Sequence, residues 1–103
     1  MRVTLKTSGG VGFFPGLARP IVADTDALEP ELSERLRELV ENAGFFELPD
    51  PISTLSRGAA DVRTETLTVE DAARVHEVAA VETSIPEALR ELVDFVKEHG
   101  TRA

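Results

Sequence analysis

Residues 2 to 7 alternate polar and apolar, Arg, Val, Thr, Leu, Lys, Thr, so a period of two puts Val3 and Leu5 on one face and the cations on the other. That pattern predicts a half-buried strand. A Gly-rich stretch, Ser8-Gly9-Gly10-Val11-Gly12-Phe13-Phe14-Pro15-Gly16, separates it from a second strand over residues 17–25, interrupted by Pro20. Because proline cannot donate to a ladder, this second strand is expected at a sheet edge. The pair reads as a hairpin with a long tip, to which Gly supplies positive φ and Pro15 a fixed φ.

From Pro30 to Ala43 the apolar positions are 32, 36, 39, 40 and 43, the single stripe of an amphipathic helix. Pro30 suits its first turn, Gly44 its stop, and Asp26 or Glu29 are the candidate acceptors for its first amides. Phe45-Phe46-Glu47-Leu48-Pro49 follows, with both rings expected in the core. A Pro- and Ser-containing connection, about 50–60, is expected to be the mobile part of the chain. Residues 62–70 and 74–82 are β-propensity runs joined by Asp71-Ala72-Ala73, a turn without Gly or Asn. In the first run Leu67 and Val69 oppose Thr64, Thr66 and Thr68, and in the second Val78, Ala80 and His76 share the core side. Ser84-Ile85-Pro86-Glu87 has capping-box spacing and leads into a second stripe, Leu89, Leu92, Val93 and Val96, closed by His99 and Gly100. The expected architecture is α+β: a four-stranded antiparallel sheet with two helices packed on one face, in the order β-β-α-β-β-α.

Composition narrows what such a domain can do. With 103 residues, 42% of them hydrophobic, the chain fills one modest core, so a single domain over 1–103 with a short C-terminal tail at 100–103 is expected. The mean hydropathy of -0.08 leaves no membrane-spanning run, and the N-terminal residues have no signal-peptide pattern, which makes the cytoplasm the expected location. A formal charge of -8 repels a phosphate backbone and argues against nucleic-acid binding. The absence of cysteine removes disulfides and thiolate chemistry.

No reading of the residues yields a catalytic site. His76-Glu77 begins like the helical His-Glu-x-x-His zinc motif, but the fifth residue is Ala80 and the segment reads as a strand. Across that strand residues 76 and 80 stand about 13 Å apart. No metal and no cofactor is expected. The glycines of residues 9–16 lack the Gly-Lys-Ser/Thr of a phosphate loop, and Pro15 stands where a dinucleotide fingerprint has its third glycine. The acids Glu31, Glu34, Glu38 and Glu41, interleaved with Arg35 and Arg37, are a solvated helix face. Phe13-Phe14 differs, because these rings sit in a Gly/Pro-framed loop rather than on a periodic stripe. Either one ring pins the hairpin from below, or both meet a partner with Arg19 at the rim.

Several segments together resemble the emfourin family, protein inhibitors of protealysin and related thermolysin-like zinc metalloproteases. They are Gly9-Gly10 with Gly16-Leu17-x-Arg19, then Ala43-Gly44-Phe45-Phe46-Glu47-Leu48-Pro49, then Asp61 with Leu67-Thr68-Val69-Glu70-Asp71. His76-x-Val78 and Pro86-Glu87-Ala88-Leu89-Arg90-x-Leu92 complete the set, and the resemblance covers nearly the whole chain, roughly residues 2–96. Two departures stand out: the aromatic tip Val11-Gly12-Phe13-Phe14-Pro15, and Glu65 at a strand position where the family often carries an aromatic. The resemblance implies a non-enzyme that blocks the cleft of a thermolysin-like protease. Gly10, Phe13, Phe14, Leu17 and Arg19 are the candidate contacts, and the 50–60 connection is the alternative contact. The competing expectation is a non-inhibitory cytoplasmic interaction module using the same tip. Either acts as a monomer or weak dimer.

Overall fold

The structure is a computed structural model that describes residues 1–9, 19–52 and 63–102. Among the described residues, five strands make one antiparallel sheet: β1 (Arg2–Gly9), β2 (Ile21–Asp24), β3 (Arg63–Asp71), β4 (Arg74–Val81) and β5 (Thr101–Arg102). Their spatial order is β4-β3-β1-β2-β5. Two helices, α1 (Pro30–Asn42) and α2 (Glu87–His99), and two 3-10 turns, Phe45–Glu47 and Glu82–Ser84, complete the described elements.

Register explains the core. Val3 pairs with Ala23 and Val69, and Leu5 pairs with Ile21 and Leu67, so the inward parity of each strand falls into line across the sheet. Val78 lies opposite Leu67 in the next strand. Leu36, Leu39 and Val40 of α1 and Leu89, Leu92, Val93 and Val96 of α2 cover that one face and close a single apolar cluster. Both helices therefore pack on the same side, leaving Thr4, Thr66 and Thr68 on the other, partly exposed.

The sheet corrects the expected count of four strands and the order β-β-α-β-β-α, which lacks the strand after α2. Residues 101–102, placed in a tail by their sequence, pair with β2 through Ile21↔Arg102 and Val22↔Thr101. This also moves β2 from the edge to a position between β1 and β5. Pro20 is compatible with that place because the strand starts one residue later, at Ile21, so the missing N–H falls outside the ladder.

Helix starts depart from expectation at both ends. Ser84 does not cap α2: it belongs to the 3-10 turn, and Pro86 occupies the cap position without a side-chain hydrogen bond. The cause is local. A residue preceding proline is pushed away from helical dihedrals, and Ile85 is extended (φ -81°, ψ 128°), so the helix cannot begin before Pro86. At α1 Glu29 is the cap residue with Pro30 following, but its side chain accepts no capping bond. Neither Asp26 nor Glu29 fills that role; the nearby carboxylate that captures an amide is Asp24, whose Oδ1 accepts from Asp26 N at 2.9 Å. Gly44 does end α1, at φ 58°.

Candidate functional site

Gly10, Phe13, Phe14 and Leu17 lie outside the described residues, as does most of the 50–60 connection. What the structure gives is the frame that carries them. β1 ends at Gly9, whose register partner is Arg63, the first residue of β3. Segments 10–18 and 53–62 are consequently anchored on neighbouring strands at one end of the sheet. Thr64 pairs with Val81, which brings the Glu82–Ser84 turn to the same end. The two stretches that sequence alone offers as alternative contacts are thus attached side by side.

Each stem of segment 10–18 is tied down. On the β1 side, Thr7 Oγ1 donates to Glu65 Oε2 at 2.7 Å, and Lys97 Nζ of α2 donates to Glu65 Oε1 at 3.3 Å. The Glu65 side chain is only 3% exposed, whereas Lys97 is about half exposed. A buried carboxylate is costly unless paired and hydrogen-bonded, and here both oxygens have donors. On the β2 side, Arg19 is exposed, and its carbonyl oxygen accepts from Arg102 Nη1 at 3.4 Å. Arg19 is the one sequence-predicted site residue that the structure describes, and it stands beside β5. Glu65 was missed as a structural anchor, although its even spacing from Leu67 and Val69 places it on their inward parity.

The Phe-Phe segment serves the scaffold. Phe45 is buried, while Phe46 is half-buried with the Arg74 guanidinium 4.1 Å above its ring. His76 Nε2 donates to the Leu48 carbonyl oxygen at 2.8 Å and packs edge-on against Phe45, which gives this histidine a structural task. Ala79 N donates to Asp50 Oδ1, and Ile52 N donates to the Ala79 carbonyl, both at 2.9 Å. Residues 45–52 are in this way fastened along the outer edge of β4 until just before segment 53–62. A shallow depression of about 540 Å³ lies between Arg37, Phe46, Asp71 and Arg74. Its opposite charges face one another, as in the Arg74–Asp71 pair at 3.2 Å. Among the described residues, no group of three or more His, Cys, Asp or Glu is placed to hold a metal. No helix among them is long and apolar enough to cross a membrane.

The two adjacent chain segments therefore depart from a hydrogen-bonded sheet end, and a pre-ordered frame lowers the entropy lost on binding. A solved structure, emfourin (M4in) from Serratia proteamaculans, described as an M4 family peptidase inhibitor, shares the fold at a TM-score of 0.51 and 21% sequence identity. That match covers 98% of this chain and 90% of the Serratia chain. No curated protein matches. The sequence model of the Emfourin family matches residues 5–97, from β1 to the last turn of α2, and the chain belongs to the emfourin family.

Proposed function

We propose that this chain inhibits a thermolysin-like zinc metalloprotease of the protealysin type by blocking its active-site cleft with the segment between β1 and β2. The observation that carries this reading is the family match over residues 5–97. Emfourins are represented among solved structures by an M4 peptidase inhibitor, not an enzyme. The described frame adds a physical route. Thermolysin-like enzymes favour large apolar side chains beside the scissile bond, and Phe13, Phe14 and Leu17 are such side chains in a segment held at both stems. Gly10 lets the backbone approach closely, and Arg19 supplies a cation at the rim. A standard interface covers about 800 Å² per partner and draws most of its energy from a few aromatic or arginine anchors. The zinc belongs to the target, and no side chain of this chain is proposed as a ligand to it. The inhibitor is proposed to work in the cytoplasm as a monomer or weak dimer.

The test is a titration of the protein against thermolysin and a protealysin-like enzyme, following hydrolysis of a fluorogenic peptide over time. Stoichiometric or slow-onset loss of turnover is expected. Unchanged turnover, with the chain intact or digested, would replace this reading with a non-inhibitory interaction module.

A further inference from the structure

The last turn of α2 reaches the β1 stem of segment 10–18 through Glu65 of β3, and the residues after it touch the β2 stem. Lys97 reaches Glu65, which holds Thr7 on the β1 stem. Five residues later Arg102 holds the Arg19 carbonyl on the β2 stem, while Thr101 and Arg102 pair with Val22 and Ile21. Gly100 links the two halves at a place with no spare room: a Cβ there would lie 2.6 Å from the Val96 carbonyl oxygen and 2.7 Å from Ile21 Cγ2. The α2 terminus is thereby seated directly on the start of β2.

We propose that residues 97–102 form a clamp that fixes the two stems, at Thr7 and Arg19, beyond the last direct pair of β1 and β2, Leu5↔Ile21, with Lys97, Glu65 and Arg102 as positioning residues. The inference rests on the inhibitor reading above. Its physical basis is that a binding segment loses less freedom on docking when its ends are already fixed by a supporting shell. Nothing at 97–102 needs to touch the protease for this role.

The chain has no cysteine, so Lys6→Cys and Arg19→Cys place two spin labels selectively; Arg19 accepts its bond through the backbone, which the substitution keeps. In that labelled protein the separation between labels is measured by electron paramagnetic resonance. It is compared with the same chain ending at Gly100, with Lys97→Met, and with Lys97→Arg. In parallel, unlabelled versions of the four proteins are assayed for inhibition of thermolysin and for melting temperature. The clamp predicts a narrow spread of separations that broadens in the shortened chain and in Lys97→Met. It also predicts inhibition weakened by tenfold or more in both, with recovery of spread and inhibition in Lys97→Arg. Inhibition that follows melting temperature alone, or that stays unchanged while the spread broadens, would overturn the positioning role. If the full chain inhibits nothing, the inhibitor reading fails, and the label separations alone decide the clamp: an unchanged spread refutes it.

Discussion

At position 65 a carboxylate occupies the inward parity of a strand, between the helix-facing rows of Val3 and Leu5 on one side and Val78 and Ala80 on the other. It is tolerated because Thr7 and Lys97 supply a donor to each oxygen, and because the half-exposed ammonium keeps its own access to water. Two other single positions carry measurable consequences. Ala72, the first of the two residues joining β3 to β4, sits at φ 54°, a region where a Cβ costs about 1 kcal/mol. Ala72→Gly is expected to raise the unfolding free energy by about 0.5–1 kcal/mol in urea denaturation. Asp24 is held below its ordinary 3.8, first by the Asp26 amide and then by Arg2, against an opposing effect of burial. A carboxylate whose folded pKa is depressed contributes stability above the unfolded value and loses it as pH falls through the folded one. Melts taken from pH ~5 down to ~2 should therefore show a steeper acid limb in the parent than in Asp24→Asn. None of these three roles was readable from residue type alone. The parity of Glu65 could be read, but its donors come from β1 and α2, which only the tertiary fold brings together.

Among the elements, the strongly periodic ones were readable and the short or locally overridden ones were not. The stripes of α1 and α2 and the alternation of β1 and β3 each repeat often enough to outweigh single exceptions. The two-residue β5 has no period to detect, and its partner β2 was placed at the edge by Pro20, although a proline just before a strand leaves the ladder intact. The Ser84–Glu87 spacing misled because Pro86 within it forces Ile85 out of the helical region. The sequence marks Gly100 as a helix stop, and its stricter constraint is the approach of β2. With φ at -79° it needs no glycine for its dihedral, yet two backbone carbonyl oxygens lie within 3.0 Å of where a Cβ would stand. Gly100→Ala should then lower stability by about 1–3 kcal/mol through overpacking, read as a lower urea midpoint with an unchanged m-value. A midpoint equal to the parent's would mean that β5 and the α2 terminus shift at little cost.

For the molecule as a whole, four of the five strands, both helices and the family were accessible from sequence, whereas the candidate site was accessible only as a list of loop residues. Phe13 and Phe14 are adjacent aromatics without a periodic stripe to place them, and they lie outside the described residues. The Phe45-Phe46 pair, by contrast, belongs to the scaffold, with Phe45 in the core against His76 and half-buried Phe46 under the Arg74 guanidinium. What the fold adds is a shared origin for segments 10–18 and 53–62 at one end of the sheet, with Lys97 of α2 bonded to Glu65 and Arg102 of β5 to the Arg19 carbonyl beside the first of them. The most direct measurement is the inhibition constant of the parent chain and of the Phe13→Ala/Phe14→Ala double variant against the same thermolysin-like enzyme. Tight, stoichiometric inhibition by the parent and a loss of about a hundredfold or more in the double variant is the predicted result, the scale expected when two buried aromatic anchors are truncated. Equal constants for the two proteins, or no inhibition by the parent, would contradict the account.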